Sequence, residues 1–288
     1  MIKEISIDFI NFIKHPKDFQ FQLKFKDKIK FILVLLLFEV LFTITIIIPV
    51  YFILNKIEKI KHQRIDYTET LLSSLFLFVI IIPLFEELIF RYFLRYKGLK
   101  TKILSRKTWD KIFPFLVYFM SVSFGLIHIF NYNNQNFVLI LIILSPFIVL
   151  SQIFGGFILT YTRVRINFLW GVILHSIWNF LVIILIPLLG SQLIKPYEDV
   201  NESYKIKITE KPFYDTNSEQ FMLIDSSLGS IKKIKIKQYS IQHLLDTLFN
   251  KNTYYVDDVL INLEFTTNDE IDKKEFVEIL RKKYDIIE

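Results

Sequence analysis

FILVLLLFEVLFTITIIIPVYFIL, residues 31–54, holds one charged side chain, Glu39, in an otherwise apolar run. About 20 apolar residues in a helix cross the hydrocarbon layer of a bilayer. Core helices of soluble enzymes are usually shorter and carry a polar stripe. Residues 70–94, 112–130, 137–161 and 167–189 have the same character, so the sequence predicts an α-helical multi-pass membrane protein with about five spans over 31–189. The first span is not a cleaved leader, because a basic segment, 1–30, precedes it and the run is too long for a leader's apolar region. That segment alternates Phe and Ile with Lys, the pattern of a cytoplasmic tail or of a helix lying in the membrane interface.

Charge divides the chain. Residues 1–195 carry 22 basic and 11 acidic side chains; residues 196–288 carry 13 and 18. The overall +6 and the 52% apolar content therefore describe neither part. Seven Lys precede the first span, and seven Lys/Arg lie between Arg95 and Lys111, with Arg163 and Arg165 in the next loop on that side. The loops 55–69 and 131–136 hold four and none. The positive-inside bias then puts the N-terminus in the cytoplasm, in a bacterial inner membrane, and with five spans the acidic tail lies outside. Residues 196–288 read as a small α+β soluble domain. Its expected strands are 204–208, 221–224, 231–238 and 259–265, and its expected amphipathic helices 240–250 and 273–284. No catalytic constellation occurs there; the domain is the natural place for a protein partner.

With no cysteine, disulfide scaffolds, zinc–thiolate sites and cysteine nucleophiles are excluded. Seven glycines and the absence of a P-loop or GxGxxG pattern argue against phosphate cradles. The basic residues flank spans, so anionic lipid explains them and nucleic acid is not an expected partner.

Ionisable groups in hydrocarbon are costly and point to function. The spans hold Glu39, Glu86, Glu87, Arg91, His128 and His175, joined by the polar Asn179. EELIFR (86–91) puts Glu87 and Arg91 at i, i+4, where they pair; Glu86 is turned about 100° away. FGLIH (124–128) and HSIWN (175–179) place Phe124 with His128, and His175 with Asn179, on single helix faces. Taken singly, such groups bind neighbouring helices together. Together they fit one polar cavity. No GxSxG, SxxK or HExxH pattern is present. Carboxylate and imidazole activate water directly or through a metal, and a second imidazole with an amide stabilises an oxyanion, a combination suited to amide hydrolysis.

Those three motifs resemble the EExxxR, FxxxH and HxxxN motifs of the CPBP family (CAAX proteases and bacteriocin-processing enzymes, also called Abi), which includes the type II CAAX prenyl endopeptidase. The resemblance spans about 70–189 and includes Pro83 and Phe90. It implies an intramembrane endopeptidase acting on a peptide or membrane-protein substrate within the lipid bilayer. By position Glu86 and His128 activate water, His175 and Asn179 stabilise the oxyanion, and Glu87 and Arg91 support the site. Any zinc would be held by Glu86, His128 and His175; a metal-free, glutamate-dependent reaction is the other implied form. Tyr92 stands where the family commonly has Gly, a departure expected to affect packing only. One geometric tension accompanies the resemblance. His128 lies some 16 residues up its expected span and Glu86 and His175 about 8–9 up theirs, a depth mismatch of roughly 10 Å. The alternatives are a non-catalytic membrane adaptor that works through its tail and, less favoured without inverted repeats, a transporter with a buried proton relay.

Overall fold

A computed structural model describes residues 2–57, 59–61, 69–132, 138–227, 229–251 and 253–288. The chain forms two compact units: Met1–Gln63 with Phe76–Phe180, and Arg64–Leu75 with Leu181–Glu288. Among the described residues, four helices are long and apolar enough to cross a membrane: α2 (Phe25–Ile57), α3 (Leu71–Phe90), α4 (Arg106–Asn131) and α7 (Phe168–Leu193). The chain is an integral membrane protein. The expected span 137–161 is instead divided into α5 (Val138–Ile148) and α6 (Leu150–Arg165), because Val149 leaves helical geometry at φ −99°, ψ 21°. Residues 62–68 and 133–137, parts of two expected loops and the start of that span, lie outside the described residues.

α1 (Ile2–Lys14) corrects the picture of a mere surface tail. Ile5, Phe9 and Phe12, spaced i, i+4, i+7, form one buried stripe, and Phe9 packs on Phe154 and Tyr161. Asp8 accepts from Arg165 at 2.6 Å and from the Tyr161 hydroxyl at 2.8 Å. Ile2, Ile7 and Ile10 remain exposed, an apolar outer face suited to a membrane interface.

Proline placement explains a recurrent backbone feature. α2, α3 and α7 each contain a π-helical stretch: Thr43–Ile47, Leu75–Ile81 and Phe180–Leu185. Two residues beyond each stretch stands a proline: Pro49, Pro83 and Pro187. Proline lacks an N–H and clashes with the carbonyl one turn back; the wider π turn relieves that clash. Pro114 and Pro146 sit inside α4 and α5 without such a stretch.

α4 and α6 approach closely. A Cβ at Gly156 would lie 2.7 Å from the Ser121 carbonyl oxygen, so only glycine allows this contact. The Ser121 hydroxyl bonds with Thr160 at 3.0 Å, and small residues facing one another are the usual basis of helix packing in lipid.

In the second unit, five antiparallel strands take the order β1-β2-β5-β4-β3: β1 Tyr197–Val200, β2 Tyr204–Lys211, β3 Phe221–Ser227, β4 Ser230–Ser240 and β5 Leu260–Asp272. Two helices, α8 (Ile241–Leu248) and α9 (Lys273–Arg281), accompany them. Strand alternation sends Ile206, Ile208, Ile234, Ile236, Leu263 and Phe265 into one core with Leu244, Leu245, Phe276 and Leu280. The opposite face alternates charge across strands: Glu198, Lys207, Glu264 and Lys235 are successive partners. Lys207 meets Glu198 at 2.6 Å and Lys235 meets Glu264 at 3.4 Å. Every strand and helix expected in the tail is present; β1 is additional, too short to announce itself by alternation.

Candidate active site

Residues 86–90 of the EELIFR segment end α3, which is α-helical from Ile82, and Arg91 is its C-cap. Glu87 points inward and is fully buried, with Arg91 Nη1 3.0 Å away. The i, i+4 pairing expected from the sequence is therefore present. It is closed from outside by Gly171 of α7, where a Cβ would stand 3.3 Å from Glu87 Oε2. The Arg91 guanidinium lies 3.7 Å from the Phe124 ring centre, a cation–π contact in a water-poor place.

Phe124 is the hub of the aromatic wall. Its ring meets Phe90 at 5.4 Å, His128 at 4.9 Å and His175 at 5.8 Å, all edge-on. Its carbonyl oxygen lies 2.7 Å from His128 Nδ1. A carbonyl only accepts, so Nδ1 donates and Nε2 is left for the cavity. His175 repeats the arrangement on α7, with Nδ1 3.1 Å from Glu87 Oε1. A carboxylate also accepts, so here too Nδ1 donates and Nε2 faces the cavity.

Both Nε2 atoms converge on Glu86. His175 Nε2 is 3.4 Å from Glu86 Oε2 and His128 Nε2 is 4.0 Å from Oε1. The Glu86 and His128 side chains keep 24% and 20% of their exposure, whereas Glu87 keeps none. The structure thus gathers Glu86, Glu87, Arg91, His128 and His175 from three helices. Glu86 is the carboxylate left facing outward, as its 100° offset implies.

Asn179 stands apart from this cluster. Its Nδ2 donates to the Phe78 carbonyl at 2.9 Å. In a π turn that carbonyl would accept from residue 83, which is proline and has no N–H. Asn179 therefore satisfies a carbonyl freed by the π stretch and ties α7 to the helix bearing Glu86. Glu39, to which the sequence assigns no role, is buried on α2 against Gly155.

The depth mismatch expected from span ends does not keep the residues apart: His128 Nε2 lies 4.0 Å from Glu86. The first turns of α4 are tied to the N-terminal segment, where Trp109 Nε1 donates to Asp18 at 2.9 Å and the Tyr118 hydroxyl donates to the Ile13 carbonyl at 2.7 Å.

One carboxylate and two imidazole nitrogens are the donor types of a catalytic zinc with an open position. Hydrogen bonds to both Nδ1 atoms would orient such ligands. Among the described residues, however, no three His, Asp or Glu side chains are spaced as a metal cage. Tyr92 is half exposed and packs edge-on against Phe93 and Phe168. Gly171 carries no signal in the sequence beyond being a small residue one turn before His175.

No curated protein and no solved structure matches the chain. Residues 68–181 match the model of one family, described as type II CAAX prenyl endopeptidase Rce1-like. The match contains all three motifs and leaves the N-terminal segment and the acidic tail outside it. Residues 68–181, which carry the EELIFR, FGLIH and HSIWN motifs, are thus similar to the type II CAAX prenyl endopeptidase family.

Proposed function

We propose that the chain hydrolyses a peptide bond with a water molecule activated by Glu86 and His128. The observation that supports this most directly is the convergence of two imidazole Nε2 atoms on one half-open carboxylate. A water between Glu86 and His128 gives a proton to the carboxylate as its oxygen attacks the scissile carbonyl. The carbonyl π electrons move to oxygen, and the proton then passes to the leaving amine as the C–N bond breaks. His175, carrying a proton on Nε2 as well as on Nδ1, and the second N–H of Asn179 stabilise the oxyanion. Glu87 and Arg91 hold the His175 ring in place.

In a metal-dependent form, Glu86, His128 and His175 would be the residues to hold a zinc, and they would have to draw closer than they stand here; the ion would supply an acidified water. The substrate class that follows from the family's description is a prenylated peptide with a C-terminal CAAX sequence. The test is cleavage of a farnesylated CAAX peptide by the purified chain, with Glu86→Gln beside wild type. Wild-type cleavage lost in the variant is the expected result; equal rates overturn it. Loss with a chelator and recovery with zinc identify the metal form.

We also propose that the N-terminus and the basic loops face the cytoplasm of a bacterial inner membrane, with the acidic tail outside. This counts α5 and α6 together as one crossing. The cysteine-free chain permits a clean check. In intact cells an impermeant maleimide labels Asn201→Cys and not Lys17→Cys; the reverse overturns the orientation.

A further inference from the structure

A cavity of about 580 Å³ lies between the end of α1, the segment after it and the first turns of α4. Its floor is apolar, formed by Phe113, Pro114 and Tyr118. Its rim is basic, formed by Lys14, His15 and Lys17, all exposed. Among the described residues none of these three side chains has a hydrogen-bond or ion-pair partner. The two carboxylates at the cavity are already engaged. Asp18 accepts from Trp109 and the Tyr96 amide, and Asp110 meets Arg106 at 2.9 Å. The unmatched charge of the rim is therefore positive.

We infer that this cavity binds the phosphate headgroup of an anionic phospholipid, with Lys14 and Lys17 as its cationic contacts. The shape of the surroundings separates a lipid from a soluble phosphate. Phe115 and Phe119 sit one residue further round α4 than Pro114 and Tyr118. Their rings stack at 5.8 Å, and both are exposed. Exposed aromatic surface thus lies about 100° round α4 from the cavity wall, on the helix that also forms its apolar floor, as an amphiphile with a charged head and an acyl chain requires. A soluble anion would gain nothing from it. The site also joins α1 to α4 through the segment that carries Asp18, so occupancy braces the helix that presents His128.

The test uses the full chain in detergent, with dioleoyl-phosphatidylglycerol as probe, dioleoyl-phosphatidylcholine as neutral control and native mass spectrometry as readout. Wild type retains phosphatidylglycerol in preference to phosphatidylcholine. Lys14→Gln/Lys17→Gln binds it roughly thirtyfold more weakly, from two basic side chains near an anionic headgroup. Lys102→Gln/Lys107→Gln removes the same charge from the same basic side but outside the cavity, and retains the lipid. Equal loss in both double variants reduces the effect to diffuse attraction and overturns the site. Displacement of the lipid by inorganic phosphate at matched concentration makes it a soluble-anion site and overturns the lipid assignment.

Discussion

Two carboxylates of the membrane unit, Asp18 and Glu86, sit in opposite states of completion. Asp18 is 3% exposed and fully engaged. It accepts from the Tyr96 amide at 2.8 Å and from Trp109 Nε1 at 2.9 Å, with Arg95 and Arg106 at 3.7 and 3.9 Å. Burial lowers the Arg95 pKa while Asp18 raises it, so this cluster trades desolvation against pairing, as structural ion pairs do. Glu86 is 24% exposed and faces the Nε2 atoms of two imidazoles at 3.4 and 4.0 Å. Among the described residues it has no buried cation or backbone amide in contact of the kind that holds Asp18. A saturated carboxylate joins chain segments; a half-exposed one beside two imidazoles is left for proton transfer.

Glu86→Gln breaks that comparison most severely. It should lower cleavage roughly 10²–10⁴-fold, the usual reach of a general base, with little change in thermal midpoint. If Glu86→Gln instead unfolds the protein and leaves the surviving fraction fully active, the two carboxylates have the same role.

Arg91→Ala comes next. It leaves Glu87 buried with its charge unpaired and should cost about 3–5 kcal/mol. Replacing both partners, Glu87→Gln/Arg91→Met, should cost less than Arg91→Ala alone. Urea or thermal midpoints in detergent check the order, and the reverse order would show that the pair contributes net stability beyond avoiding an orphaned charge.

Asp18→Asn sharpens the other side. It weakens acceptors for Trp109 and Tyr96 and should cost about 1–3 kcal/mol, with kcat preserved in the folded fraction. A fall in kcat at unchanged KM and unchanged stability would move Asp18 into the site's working machinery.

The Glu86 group was legible because its residues are out of place. Glu, Arg and His in apolar helices at i, i+4 spacing announce both their pairing and their common face. Asp18 was not legible. It lies in a polar segment among Lys and Phe, where a carboxylate is ordinary, and its partners are about 77 to 91 residues away. The same limit hid the break at Val149, since an unbroken apolar run gives no period to interrupt, and hid the inward face of α1, which reads as a basic tail until Tyr161 and Arg165 meet it. Spacing puts Asn179 on the helix face of His175, but its bond to Phe78 depends on Pro83 and the π turn, a backbone matter that side-chain spacing does not report. In the tail, alternation of Ile with Lys was enough to locate β2 and β4.

The smallest effect concerns a surface network that resembles Asp18 in partners but not in burial. Asp199 accepts from the Tyr204 hydroxyl and from Lys282 Nζ at 3.0 Å. These bonds, Tyr204 first and Lys282 next, hold the Asp199 carboxyl below its usual range. Lys282 is raised in turn, by Tyr204 first and then Asp199. The signs follow. A lowered carboxylate contributes stability that is complete above the ordinary range near about 4 and is lost as pH falls through its folded value. A raised lysine contributes below the ordinary lysine range and loses it only in strong alkali. Asp199→Asn should therefore speed hydrogen exchange at the β1–β2 pairs Tyr197–Ile208 and Asp199–Ile206 at pH 7. After correction for intrinsic rates, that difference should shrink as pH falls below about 4. Because the network is open to water the change is modest and weakens with salt. A difference that persists undiminished in acid would mean that the Asp199 side chain acts through packing and not through its charge.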